Sequence, residues 1–190
     1  MPPIPKISKD MILESGLKII KDEGIDKLNV RSIANKLNCS TQPIMYHYKN
    51  VNVLKEDLYN IADNYHSEFL MKENDNINPL LNIGLQYIKF AVDEKNLFKF
   101  IFQSDKFSNT NFEDLINNDE KGLEFIFETI HKEIEITKEQ AKDLFRILFI
   151  TAHGLASLFA NNSMKYDENY CVKILQDIFE GTVMKMKGER

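Results

Sequence analysis

Val30-Arg31-Ser32-Ile33-Ala34-Asn35-Lys36-Leu37-Asn38-Cys39-Ser40-Thr41-Gln42-Pro43-Ile44-Met45-Tyr46-His47-Tyr48 is the stretch on which the reading of this chain turns. Val30, Ile33, Ala34 and Leu37 recur at helical spacing and give one apolar face. Ala34 is small where two crossing helices must approach. Asn38 stands where the backbone must turn through positive φ, a region that Asn tolerates best after Gly. Ser40 is placed to cap a second helix. Pro43 falls in its first turn, where backbone N–H groups have no intrahelical partner, and Ile44 returns to Ala34. Small residue, turn, cap and apolar return together predict a helix-turn-helix. A plain αα-corner inside a helical bundle is the other reading of the same pattern.

The flanks extend the motif. Ser8 can cap a helix carrying Ile12, Leu13, Leu17 and Ile20 inward and ending at Gly24, a natural residue just past a helix end. Ile25-Asp26-Lys27-Leu28 is a short connector, and Asn29 caps the helix that starts at Val30. Lys49-Asn50 closes the second helix of the motif, and a long helix begins near Val51.

With those residues in place, the chain resembles the TetR family of transcriptional regulators. The resemblance rests on Ile12-Leu13, Gly24, Val30-Arg31-Ser32-Ile33-Ala34, Asn38-Cys39-Ser40, Ile44, His47-Tyr48-Lys49-Asn50 and Leu54. It covers roughly the first third of the chain. Beyond it, His153-Gly154-Leu155-Ala156 looks like a run in the penultimate helix of some family members. The chain differs from the family's usual pattern in having Asn38 for Gly, Met45 for an aromatic phosphate contact and Val51 for Lys.

Charge is unevenly placed. The whole chain carries −5, but residues 1–55 hold 9 Lys/Arg against 5 Asp/Glu, a net of +4, and residues 56–190 hold 15 against 24, a net of −9. A positive field over the motif suits a nucleic-acid partner, and an acidic body disfavours non-specific wrapping. At 190 residues the chain can bury a substantial core. No apolar run of about 18 residues is read as a membrane span. Met1-Pro2-Pro3-Ile4-Pro5-Lys6 lacks the apolar core of a signal peptide, and Cys39 and Cys171 offer no disulfide framework. A cytoplasmic protein is the expectation.

The remainder reads as helices. Val51 to about Glu73 places Leu54, Leu58, Ile61, Ala62, Tyr65 and Phe69 on one side, with His66 expected at the surface. A break at 75–79 precedes helices over 80–92 and 96–102. A polar loop over 104–111 contains Phe107, and a helix follows from about 119 to 134. Thr137-Lys138-Glu139-Gln140 fits a capping box opening a strongly apolar helix, and a last helix spans about 167–185. No two-residue alternation marks a strand, so the fold class is all-α. The expected division is a helix-turn-helix domain over 1–50 and a larger helical ligand-binding and dimerisation domain over 51–190.

Ile147, Ile150 and Leu158 lie off the main stripe of the penultimate helix, and a helix apolar on most sides must be buried on most sides. The resemblance implies that the last two helices build a four-helix homodimer interface, with Leu148, Leu155, Phe159, Ile174 and Ile178 as its candidates. Thirteen Phe and seven Met with no Trp suggest a pliable interior. Phe98, Phe102, Phe107 and His153 are candidates for a pocket taking a small apolar or amphipathic ligand, with core packing and a structural histidine as the alternative. Glu128, His131 and Glu135 can share a helix face and read as solvated. No phosphate-cradling loop, metal-ligand spacing or nucleophile–base arrangement is legible, so neither cofactor nor metal is expected and an enzyme is disfavoured.

Function follows as an expectation: a dimeric, ligand-responsive repressor on a near-palindromic double-stranded DNA operator. Thr41, Gln42 and Tyr46 would face the major groove, where Gln42 can pair with adenine and the Thr41 methyl can meet that of thymine. Arg31 can reach a base edge or a phosphate. Asn29, Ser40, His47 and Lys49 are candidate phosphate contacts, which set register without reading sequence. The competing reading is a helical protein-interaction module whose helix-turn-helix does not bind DNA.

Overall fold

Helix α1 (Lys9–Glu23) starts at Ser8, whose side chain accepts the Met11 N–H at 3.2 Å, and ends at Gly24, whose φ of 89° few residues besides glycine adopt. The computed structural model describes residues 7–72, 78–104 and 123–188, and among these all regular structure is helical. After α1 come a 3-10 turn (Ile25–Lys27), α2 (Val30–Lys36), α3 (Thr41–His47), α4 (Val51–Leu70), α5 (Pro79–Asp93), α6 (Lys95–Phe102), α7 (Leu123–Ile134), α8 (Lys138–Ala160) and α9 (Glu168–Lys187). The expected breaks after α4 and α6, Phe107 with them, and the start of α7 before Leu123 lie outside the described residues.

Of these residues, 7–68 and 94–104 form one compact unit, and 69–72, 78–93 and 123–188 form a second. The first therefore holds the short N-terminal helices, most of α4, and α6. Its interior is Ile12, Ile19, Ile20, Ile33, Ile44, Leu54, Leu58, Leu97, Phe98 and Ile101, all buried. Each such side chain contributes about 1.5–3 kcal/mol relative to exposure. Gly16 lets α1 approach α4 closely, since a Cβ there would stand 3.0 Å from Leu58 Cδ1.

His66 is not at the surface: only 7% of it is exposed, and its ring meets Phe102 edge-on at 5.0 Å. The reason is register. Leu58, Ala62 and His66 follow one another at four-residue steps, so the same stripe that buries the leucine buries the histidine.

The second unit is built around α8, which packs against α5, α7 and α9. Its capping box forms as the sequence suggests: Thr137 Oγ1 accepts the Gln140 N–H at 3.2 Å, and the Gln140 side chain accepts the Thr137 N–H at 2.8 Å. Leu81, Leu85, Ile88, Phe90, Phe127, Leu144, Ala152, Ala156, Cys171 and Leu175 fill the interior. Leu175 of α9 packs over Gly84 of α5. By length and composition α8 could cross a membrane; here Ala141, Leu144, Leu148, Ala152, Leu155, Ala156 and Phe159 are spent inside the unit.

Candidate nucleic-acid interface

The turn between α2 and α3 is set by local hydrogen bonds. Asn29 caps α2 reciprocally: its Oδ1 accepts the Ser32 N–H at 2.9 Å and the Ser32 hydroxyl accepts the Asn29 N–H at 3.0 Å. The Cys39 N–H returns to the Ala34 carbonyl at 3.0 Å, and Asn38 takes φ 50° between them. Ala34 is 3% exposed and Ile44 fully buried, so α3 is seated on α2 by the residues the sequence singled out. The outer side of α3 is thereby fixed.

That outer side carries Thr41, Gln42, Met45 and Tyr46, all exposed, with Tyr46 at 80%. Arg31, Lys49 and Ser40 are also exposed. Ser40 occupies the N-cap position of α3, but its hydroxyl makes no capping hydrogen bond. Asn29 is exposed, yet its amide already serves the protein, since Nδ2 donates to the Lys27 carbonyl at 3.2 Å while Oδ1 caps α2. His47 is half-buried, with Nε2 3.0 Å from the Ile7 carbonyl and its ring edge-on to Tyr46 at 5.4 Å.

Met45, marked in the sequence as standing where the family has an aromatic phosphate contact, is 45% exposed on the outward face beside Gln42 and Tyr46. Sequence reasoning missed one feature here. Asp57 of α4 takes the Tyr48 hydroxyl at 2.8 Å and the Lys9 ammonium at 2.8 Å, joining the residue after α3 to α1. No local spacing announces that contact. Lys9 first, then Tyr48, holds the Asp57 carboxyl below its usual range. Burial and then Asp57 push the Tyr48 phenol up.

Solved structures share this arrangement along the whole chain. A TetR-like transcriptional regulator from Rhodococcus sp. RHA1 superposes with a TM-score of 0.62 at 12% identity, covering 100% of both chains. The fold is TetR-like. A variant of TetR from Acinetobacter baumannii AYE in complex with minocycline gives 0.61 at 15% identity, over 93% of this chain and 96% of that one. NalD of Pseudomonas aeruginosa, the secondary repressor of the MexAB-OprM multidrug efflux pump, gives 0.56 at 14% identity, over 90% and 94%. No family model matches the sequence, and no curated protein matches it.

Within this TetR-like fold, Phe98 is fully buried and Phe102 half-buried in the first unit, and His153 is half-buried in the second. His153 Nδ1 lies 2.8 Å from the Tyr87 hydroxyl, its ring stacks on Phe149 at 5.8 Å, and burial lowers its pKa. Leu148, Leu155 and Phe159, expected at a surface between copies, are instead interior residues at 7%, 9% and 4% exposure. The heptad-like stripe that buries Leu144 also buries them. Ile147, Ile150 and Leu158 are exposed on the other side of α8, and Ile178 is exposed on α9 with Ile174 half-buried.

Proposed function

We propose that the protein is a ligand-responsive transcriptional repressor that binds a near-palindromic DNA operator as a homodimer. The observation that carries this reading is the outer face of α3: Thr41, Gln42 and Tyr46 stand exposed on a seven-residue helix whose inner residue, Ile44, is fully buried. A rigidly seated helix with polar and aromatic residues outward is what major-groove readout requires. Gln42 offers a bidentate amide for adenine, Thr41 a methyl for thymine, and Tyr46 and Arg31 further base-edge contacts. Ser40, Lys49 and the second ring nitrogen of His47 hold the phosphates, and Asn29 contributes chiefly by fixing α2. The +4 charge of residues 1–55 supplies the sequence-independent attraction.

Dimerisation falls to the exposed side of α8 and α9. Ile147, Ile150, Gly154 and Leu158 succeed one another at steps of three and four, leaving an apolar row with open space at Gly154. His153, poised among Tyr87 and Phe149, is the polar anchor for an apolar or amphipathic ligand. Such a ligand acts only through its differential affinity for the two states of the protein.

Selection of bound duplexes from a random pool, at two salt concentrations, tests this. A palindromic consensus with affinity falling steeply in salt is the expected result. No enrichment at low salt would sink it and favour a protein-interaction role, for which exposed Met45 and Tyr46 would be the contact surface.

A further inference from the structure

The exposed residues of α3 stand in different directions. Ile44, fully buried, fixes the inward one. At about 100° per residue, Gln42 and Tyr46 stand opposite it, Thr41 and Met45 fall on one flank, and Pro43 and His47 fall on the other. The second flank is partly closed: Pro43 and His47 are half-buried, and His47 Nε2 lies 3.0 Å from the Ile7 carbonyl just before α1. The first flank is open, since Thr41 and Met45 are both exposed, Met45 at 45%. Four residues apart on one helix, the threonine methyl and the methionine thioether lie along the same side.

Among the described residues of the first unit, the large apolar side chains left exposed are Met45, Tyr46 and Val53, and the first two stand on this seven-residue helix. Tyr46 carries a hydroxyl that water or a polar partner can satisfy. Met45 carries no charge and no donor, only a weakly accepting thioether sulfur. It has nothing with which to hold a phosphate, whose oxygens take N–H and O–H donors. What it can do is cover apolar surface, to which its unbranched, flexible side chain adapts. The apolar group that base pairs present in the major groove is the C5-methyl of thymine.

We propose that Met45 is a specificity-determining residue that reads a thymine methyl, continuing along α3 the apolar strip begun by Thr41. The proposal rests on the DNA-binding reading and deepens it. Where the usual family pattern has a phosphate contact, which carries no sequence information, this chain has a side chain that responds to base identity and does so without a hydrogen bond. Selectivity at that base pair then comes from one methyl group, and the salt dependence of binding owes nothing to this position.

Deoxyuridine tests this, because it removes the C5-methyl and keeps the base pairing. Each thymine of the selected operator is replaced by deoxyuridine in turn, at the same place in both half-sites. Affinity is then measured for the full chain as wild type, Met45→Ala and Met45→Leu. At one thymine the wild type should lose about fourfold per half-site, the worth of one buried methyl, and so about fifteenfold for the pair. In Met45→Ala that penalty should vanish to within about twofold, while penalties at other thymines and the salt slope stay as in the wild type. Met45→Leu, which keeps an apolar contact, should retain most of the penalty. Met45 is half in solvent and Ile44 does the seating, so Met45→Ala should unfold at the wild-type denaturant midpoint, and a lost penalty is then not a lost fold. Met45→Ala retaining every wild-type penalty overturns the proposal, and so does a wild type indifferent to deoxyuridine at every thymine. In both cases an operator is still bound, so the DNA-binding reading stands. A wild type that selects no duplex fails at that earlier reading and takes the proposal with it.

Discussion

In the proposed complex single side chains divide into those that would read DNA and those that would hold it, beside those that were misjudged from sequence. Gln42 is the proposed reader. Removing its amide with Gln42→Ala should relax discrimination at one base pair by about 1–3 kcal/mol, seen as a flattened position in a repeated selection. Lys49 is the proposed holder. Lys49→Ala should weaken all sequences alike and lower the slope of log affinity against log salt by about one. Unchanged base preference in Gln42→Ala would mean that α3 meets DNA in a different register. Asp57 gives a pH signature. Its folded pKa lies below 3.8, so its contribution is complete above that value and is lost as the pH falls through the folded one. Melting temperatures measured from pH 6 downward should therefore show a steeper acid limb in the wild type than in Asp57→Asn. Asp57 escaped the sequence reading because Lys9, Tyr48 and Asp57 come from α1, the end of α3 and α4; ion pairs across elements have no spacing rule.

Elements were more legible than contacts. Ser8, Asn29, Thr137 and Gly24 mark helix ends in the sequence and do so in the fold, because capping is satisfied within three or four residues. The helix-turn-helix was readable for the same reason: Ala34, Asn38 and Ile44 act over short range. His66 was missed because a polar residue on an apolar stripe can be placed only by the stripe's phase, and Ile61 and Tyr65 blurred that phase on α4. The turn yields a prediction of its own. Asn38 has φ 50°, so Asn38→Ala should destabilise by about 1–2 kcal/mol. Asn38→Gly should stay within a few tenths, because glycine adopts that angle freely. Asn29→Ala should cost about 1 kcal/mol through the lost cap. Denaturant midpoints check all three, and equal midpoints for Asn38→Ala and wild type would show that the turn can adopt another geometry.

At the scale of the whole molecule, what remains is the apolar row that the chain leaves uncovered. Ile150 is 58% exposed and Ile147 and Leu158 close to 40%, on a helix whose opposite side is packed shut. Buried Leu148 and exposed Ile150 were both apolar letters on one helix, so sequence periodicity could not tell which side is left uncovered; only the packing of α5 against α8 does. In a two-fold interface each substitution occurs twice across the axis. Ile150→Asp therefore sets two carboxylates into an apolar contact without partners, a strongly unfavourable burial. The monomer should keep its fold, because Ile150 contributes little to the interior. Sedimentation should show half the wild-type mass at unchanged helical content. Affinity for a two-half-site operator should drop about 10²–10⁴-fold, the gain that linked binding supplies, while affinity for a single half-site should hold. Leu148→Ala is the contrast: deleting a core side chain should cost about 2–5 kcal/mol of stability and leave the assembly state of the folded protein alone. A dimeric Ile150→Asp would move the contact between copies to another face, and the two half-sites would then have to be spaced by a different part of the molecule.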